Sequence, residues 1–224
     1  SYTQIIQFGD PNFKNALVNT KCVDINNDNI GDKDADENND GEIDMNESEN
    51  ISGLILTNNN IENVVGIECF KNLVYLNLKS NKLVTINIFN LNLLSHLICS
   101  DNNLSIFTLS NLPFLVNLNI DNNEITSINL SSLPLFSFLD CRENLLSTLT
   151  ISNLPSLSYI DCSKNNLTSL NLNNLPVLSN LNCWYNQLSS IDLSQTPNLI
   201  GLKCGSNKLN SLSLFDLLFL RIIE

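Results

Sequence analysis

Positive charge is what this sequence has least of. Eleven Lys and Arg stand against 23 Asp and Glu, a formal charge of −12 over 224 residues. Phosphate backbones are gripped by clustered Lys and Arg, so this balance argues against a nucleic-acid partner. Histidine is nearly missing as well. The single His96 has no Cys or Ser nucleophile demonstrably beside it in space, and no carboxylate pair stands out, so the chain reads as a non-enzyme. No apolar run reaches the roughly 18 residues of a membrane-spanning helix. Gly (7), Pro (6), Met (1) and Trp (1) are scarce. There is no initiator Met or signal-peptide pattern, and the opening Ser1-Tyr2-Thr3-Gln4 is compatible with a mature chain whose export signal has been removed.

What the chain does have is Leu and Asn at a fixed spacing. Cys141, Cys162, Cys183 and Cys204 follow one another at 21 residues, and Cys99 lies 42 before Cys141. Ile120 fills the vacant place and Leu78 the place one unit before Cys99. Three residues behind runs a second ladder, Asn81, Asn102, Asn123, Asn144, Asn165, Asn186 and Asn207, led by Asn59 at a 22-residue step. Pro113, Pro134, Pro155, Pro176 and Pro197 make a third. Periods of 20–29 residues are the mark of leucine-rich repeats. The expected fold is an α/β repeat: a leucine-rich-repeat solenoid of eight units, with parallel strands on the concave face and extended or 3₁₀ turns on the convex side.

Each place in the unit has a physical reason. Around Cys162 the unit reads Leu157, Ile160, Cys162, Asn165, Leu167, Leu170, Leu172. Alternation around the Cys makes a short strand with one face inward. The Asn stands where the chain turns inward and its amide can satisfy buried backbone groups of its own and the neighbouring unit. The Pro suits an extended return leg, since it lacks the donor a helix needs. Leu78 and Ile120 share the cysteine place, which reads the ladder as small buried hydrophobes. Cys22 and Cys69 fall outside it and either pair with each other or are two more buried thiols. Leu220 and Ile223 match the opening of a ninth unit, which points to a parent protein that continues.

The sequence divides into an N-terminal cap, residues 1–50, and the repeats, residues 51–224. Asp10-Pro11 before Phe13, Leu17 and Val18 signals a helix with Asp as N-cap and one apolar face to lay on the first repeat. Residues 24–47 then hold ten acidic side chains and one Lys, so nine of the twelve net negative charges lie there. Asp36 through Glu47 matches the EF-hand loop pattern throughout. Asp36, Asn38, Asp40 and Glu47 would converge on Ca²⁺ with the Glu42 carbonyl and Asp44, while Gly41 makes the sharp turn and Ile43 tucks inward. Asp24, Asn26 and Asp28, with Ile30 and Asp32, begin a second loop that has Asn29 at place 6 and Ala35 at place 12, and is therefore incomplete. A full exiting helix does not fit between Glu47 and the first strand at Ile51. One or two Ca²⁺ ions are expected to fasten the cap, in a structural role.

The variable places beside the strands line the expected concave surface, where such repeats bind partners. Phe138, Arg142, Tyr159, Asp161, Trp184 and Tyr185 cluster there on successive or nearby units. Exposed aromatics beside Arg and Asp are what binding hot spots use.

The 21-residue unit with Cys in its strand resembles the secreted bacterial leucine-rich-repeat proteins of the internalin group, in their cysteine-ladder branch. The cap, from Phe8-Gly9-Asp10-Pro11 through the Asp-rich loops to Gly41-Glu42-Ile43, resembles the N-terminal region of cell-surface repeat proteins of Bacteroidota-type bacteria. The resemblance implies secretion or surface display and a role in adhesion or virulence, with a protein or glycan on a host or neighbouring cell as partner. A monomer or weak self-association is expected. The alternative is a structural scaffold of envelope or matrix whose repeats self-associate.

Overall fold

The computed structural model describes residues 4–109, 111–215 and 217–223. Ser1, Tyr2 and Thr3 of the opening segment lie outside them. The chain forms two compact units, Ser1–Leu115 and Val116–Glu224.

The first unit begins with helix α1 (Pro11–Asn19). Asp10 caps it, its carboxylate accepting from the Asn12 N–H at 2.7 Å. The same carboxylate accepts from the backbone of Glu62 and Asn63 in the first repeat, so one side chain starts the helix and fastens it to the solenoid. Burial opposes ionisation of Asp10, but the N–H groups of Glu62, Asn12, Asn63 and Phe13 outweigh it and hold its pKa below the usual range. Phe13, Ala16 and Leu17 form the buried face. Val18, expected on that face, is only half-buried, and Ala16 takes its place because it lies three residues from Phe13 on the same side of the helix.

Helix α2 (Met45–Glu49) is a single turn, opened by a capping box between Asp44 and Glu47. It moves the first strand on to Gly53, two residues past the expected start. Strands β1 (Gly53–Ile55), β2 (Tyr75–Asn77), β3 (Thr85–Ile88), β4 (His96–Ile98) and β5 (Ile106–Leu109) follow. β1, β2 and β4 pair in parallel and in register, Gly53 beside Tyr75 beside His96. The free edge of β1 is covered from the cap. Asp24 donates to the Gly53 carbonyl at 3.1 Å, and Ile55 to the Cys22 carbonyl at 2.7 Å.

The second unit carries β6 (Asn117–Asn119), β7 (Ser127–Ser131), β8 (Phe138–Asp140), β9 (Thr148–Ser152), β10 (Tyr159–Asp161), β11 (Asn180–Asn182), β12 (Gly201–Lys203) and β13 (Ile222–Ile223). Its main sheet runs β6-β8-β10-β11-β12-β13, all parallel, with the central residues Leu118, Leu139, Ile160, Leu181, Leu202 and Ile223 in one row. The short strand Ile222–Ile223 is the ninth register point.

The return legs are more regular than expected. β3 pairs with β5, and β7 with β9, as small parallel sheets of their own. Their alternation, Ile86-x-Ile88, Phe107-x-Leu109, Ile128-x-Leu130 and Leu149-x-Ile151, is a strand pattern in its own right. Among the described residues one 3₁₀ turn occurs, Ile67–Cys69 in the first repeat.

Every ladder cysteine is buried, as are Leu78 and Ile120 in the same column. Burial drives the Cys141 and Cys162 thiols far above their usual pKa and Cys183 to about 12. Among the described residues no disulfide is present; Cys22 is buried with its thiol toward the Leu17 carbonyl, and Cys69 is half-buried in the 3₁₀ turn.

The asparagine ladder joins the coils. Asn165 accepts from the Leu146 N–H at 2.9 Å and donates to the carbonyls of Cys141 at 3.0 Å and Cys162 at 3.1 Å. Asn144 and Asn186 repeat the pattern one coil either side. Among the described residues no buried side-chain nitrogen or oxygen lacks a partner.

Candidate binding surface

Each strand of the main sheet presents its first residue outward, and the registers align these as a column. In the second unit the column reads Asn117, Phe138, Tyr159, Asn180, Gly201. Phe138 and Tyr159 stack with centroids 4.5 Å apart and planes within 5°. In-register parallel strands hold identical places one strand spacing apart, and flat rings fit that spacing face to face. Both rings stay half-exposed.

The third strand residue has a structural task. Its side-chain oxygen accepts the N–H two residues on, from Asn119 to Asp121, Asp140 to Arg142, Asp161 to Ser163 and Asn182 to Trp184. An Asn does this job without charge. Asp140 and Asp161 do it with a buried carboxylate, in the same two strands that carry the stacked rings. Burial raises the Asp140 pKa to about 6; the Arg142 N–H and guanidinium lower it, and Asp161 and Asp121 add to the rise. Arg142 reaches both Asp140 (3.6 Å) and Asp121 (3.4 Å). Asp161 is enclosed rather than outward, held by the Ser163 hydroxyl at 2.6 Å and the Asn182 amide at 2.8 Å.

Arg142, Trp184 and Tyr185 lie not on strands but in the turns just after them. The turn residue ahead of each ladder Asn takes a left-handed backbone. Those residues are Asn58, Ser80, Asp101, Asn122, Glu143, Lys164, Tyr185 and Ser206, with Tyr185 at φ 55°. Seven of the eight are polar; an aromatic side chain is an outlier there. Trp184 and Tyr185 stand 5.3 Å apart, tilted by 41°, and Tyr185 is 59% exposed. They wall a pocket of about 220 Å³ with Leu145 and Lys164.

In the cap, the two acidic loops share one backbone. Asp36 accepts from the Gly41 N–H at 2.8 Å, Asn38 from Asp40 and Asp40 from Glu42. The other loop repeats this: Asp24 accepts from Asn29 at 2.9 Å, Asn26 from Asp28 and Asp28 from Ile30. Place 6 is left-handed in both, Gly41 at φ 81° and Asn29 at φ 66°. Asn tolerates that conformation, so the apparent defect at Asn29 leaves the loop intact. Asp32 closes the first loop on the Ile25 N–H. Glu47 accepts from Asn38 and Asp44, and Ile43 is fully buried. Asp28 and Asp40 stay exposed, and among the described residues no three His, Cys, Asp or Glu side chains are grouped as a metal cluster.

Two further features lie elsewhere. In the first unit the Ser95 hydroxyl sits 2.7 Å from His96 Nδ1 and also reaches the Val74 carbonyl, at the side of a cleft of about 380 Å³ that Asp24 and Tyr75 share. Ser95 directly precedes His96, so the sequence supplied this neighbour but not its geometry. In the second unit Pro134, Pro155, Pro176 and Pro197 line a groove of about 950 Å³ along the return legs.

No family model matches the sequence, and a comparison with curated proteins finds no match. Solved structures do match. The functional domain of InlJ from Listeria monocytogenes, described as including a cysteine ladder, superposes with a TM-score of 0.67 at 25% identity, covering 99% of this chain and 53% of that one. Internalin C2 of the same species gives a TM-score of 0.73 at 25% identity, covering 97% and 93%. YopM of Yersinia pestis, a leucine-rich effector protein, gives 0.67 at 26% identity, covering 76% and 48%. This chain is a leucine-rich-repeat solenoid. It thus spans about half of the InlJ domain and nearly all of internalin C2.

The solenoid's own register shows what sequence reasoning passed over. Leu145 is the one apolar residue among those that follow a ladder Asn (Lys82, Asn103, Glu124, Leu145, Asn166, Gln187, Lys208). Asp140 departs from Asn119 and Asn182 in the same way. Both signals were available from alignment of the units.

Proposed function

We propose that this solenoid is a secreted or surface-displayed adhesion module that engages a protein or glycan of a host or neighbouring cell through the outer face of its main sheet. The observation that carries the reading is the stacked Phe138–Tyr159 pair beside the Asp140–Arg142 ion pair. A half-exposed aromatic pair ringed by charge is the composition of a binding hot spot. The matched structures support a binding role, one of them being the complex of LRIM1 with APL1C. Among the described residues no helix is long and apolar enough to cross a membrane.

The test is binding of the purified chain to an array of cell-surface proteins and glycans, beside a Phe138→Asn/Tyr159→Asn variant. Asn occupies the same column at Asn117 and Asn180, so the variant should fold. A ligand held by the parent and weakened about a hundredfold in the variant supports the reading. Equal binding by both removes this face as the site. No ligand at all, with self-association at rising concentration, replaces the reading with that of a scaffold.

Calcium belongs to the same proposal, as the fastener of the cap. The oxygens that would hold it are those of Asp36, Asn38, Asp40, Asp44 and Glu47 with the Glu42 carbonyl, and of Asp24, Asn26, Asp28 and Asp32 with the Ile30 carbonyl. Hard oxygen donors in this number suit Ca²⁺, and binding would draw the exposed carboxylates of Asp28 and Asp40 inward. Calcium at ten times its dissociation constant should then add about 1.4 kcal/mol to the stability of the cap. Thermal melts in calcium and in chelator measure this; identical curves would remove calcium from the account.

A further inference from the structure

The repeats act as references for one another, and two coils between them break the pattern three times in one spot. After the strand, the place of Trp184 is held elsewhere by Lys79, Ser100, Asp121, Arg142, Ser163 and Gly205. The left-handed place of Tyr185 is polar in the seven other units. The place of Leu145, two units earlier, is polar in every other unit. These three departures all line the single pocket of about 220 Å³. The fold needs none of them: Asn, Ser, Lys or Glu fill the same backbone positions in neighbouring coils. Tyr185 moreover sits at φ 55°, where a large side chain is conformationally unfavourable, a pattern found at ligand sites.

We infer that this pocket is a sugar-binding site, taking one pyranose ring of a glycan against Trp184 and Tyr185. The inference rests on the binding-module reading and gives one end of that surface its ligand chemistry. A pyranose has a face of C–H groups and a rim of hydroxyls. The pocket matches both. Trp184, 38% exposed, and Tyr185 offer tilted ring faces over the apolar Leu145, and the electron-rich face of an aromatic ring attracts the slightly positive C–H groups. Around them stand the Lys164–Glu143 ion pair, 2.7 Å long, and the exposed Asn166 amide. Hydroxyls both donate and accept, so they can serve an ammonium, a carboxylate and an amide at once. An apolar side chain from a protein partner would instead strip water from these groups and return no hydrogen bond.

Trp184 is the only tryptophan in the chain, so its emission reports on the pocket without a label. The probes are the methyl glycosides of glucose, galactose, mannose and N-acetylglucosamine, titrated against the full chain, with a short Leu- and Phe-containing peptide as the competing class. At least one sugar should change Trp184 emission saturably. Tyr185→Asn and Leu145→Asn, which restore residues the other coils use, should each weaken that sugar about tenfold while melting no lower than the parent. A flat titration with all four sugars overturns the proposal, as does equal affinity in parent and both variants. A response to the peptide alone overturns it too and makes the occupant an apolar side chain. None of these outcomes depends on Phe138 or Tyr159, so failure here is separable from failure of the wider binding role.

Discussion

Asn165→Ala is expected to lower the stability of the second unit by about 4 kcal/mol. The substitution removes one acceptor and an amide that donates to the carbonyls of Cys141, Cys162 and Ser163, and its partners on Leu146, Cys141 and Cys162 cannot turn to water. The Leu146 N–H loses its acceptor, and the Cys141 and Cys162 carbonyls each lose a donor. Leu146, Cys141 and Cys162 are fully buried. An orphaned buried group costs about 1–3 kcal/mol, and a carbonyl with another bond costs less than an N–H with none, which sets the total near 4. Asn165→Asp separates the two halves of the amide. It keeps the acceptor for Leu146 but aims a charge at two carbonyl oxygens, and should be at least as damaging as Ala. Urea midpoints followed by the loss of far-ultraviolet signal would measure both. An Asn165→Ala protein with the parent's midpoint would mean that the ladder amides are ornaments on coils that packing alone holds together.

The arithmetic of the repeat made most of the fold readable in advance. A 21-residue period admits one strand per coil, and the alternation around each Cys decides which face is buried, so the columns of the sheet follow from the register alone. Asp10-Pro11 was equally plain, because an N-cap followed by Pro has few other uses. What periodicity misses is whatever differs between coils. It counted Asp161 among outward groups, yet the side chain at that place folds back to cap its own strand, a local hydrogen bond that Asn and Asp share. It put Trp184 and Tyr185 on the sheet, since a three-residue strand ends before them and spacing does not register where a strand stops. Pro marks the return legs as extended turns, but it stands at their far end, and the alternation that makes them strands lies a few residues before it, as in Thr148–Ser152 ahead of Pro155. Asn29 looks like a flaw in its loop because the motif names Gly, whereas the backbone asks only for a residue that tolerates positive φ.

The same comparison between coils gives a substitution that should stabilise. Asp140→Asn is expected to raise stability by about 1–2 kcal/mol at neutral pH and to leave it unchanged near pH 4 and below. The ordinary Asp pKa is 3.8, and burial lifts that of folded Asp140 to about 6. A folded state that holds its proton more tightly than the unfolded one loses stability as pH rises between the two values, at about 1.36 kcal/mol per unit, and no further loss follows above them. The full interval gives an upper bound of about 3 kcal/mol, already net of the Arg142 guanidinium, and relaxation and water penetration around the buried carboxylate reduce it. Arg142 is itself 45% exposed by side chain and keeps Asp121 at 3.4 Å, so it is not stranded. Asn fits the place, since Asn119 and Asn182 make the same hydrogen bond in the neighbouring coils. Stability measured from pH 4 to 8 should therefore fall in the parent through pH 4–6 and run flatter in the variant, the curves meeting at the acid end. If the variant shows the parent's slope, the proton is held by another group, and the buried charge at Asp140 costs the fold nothing.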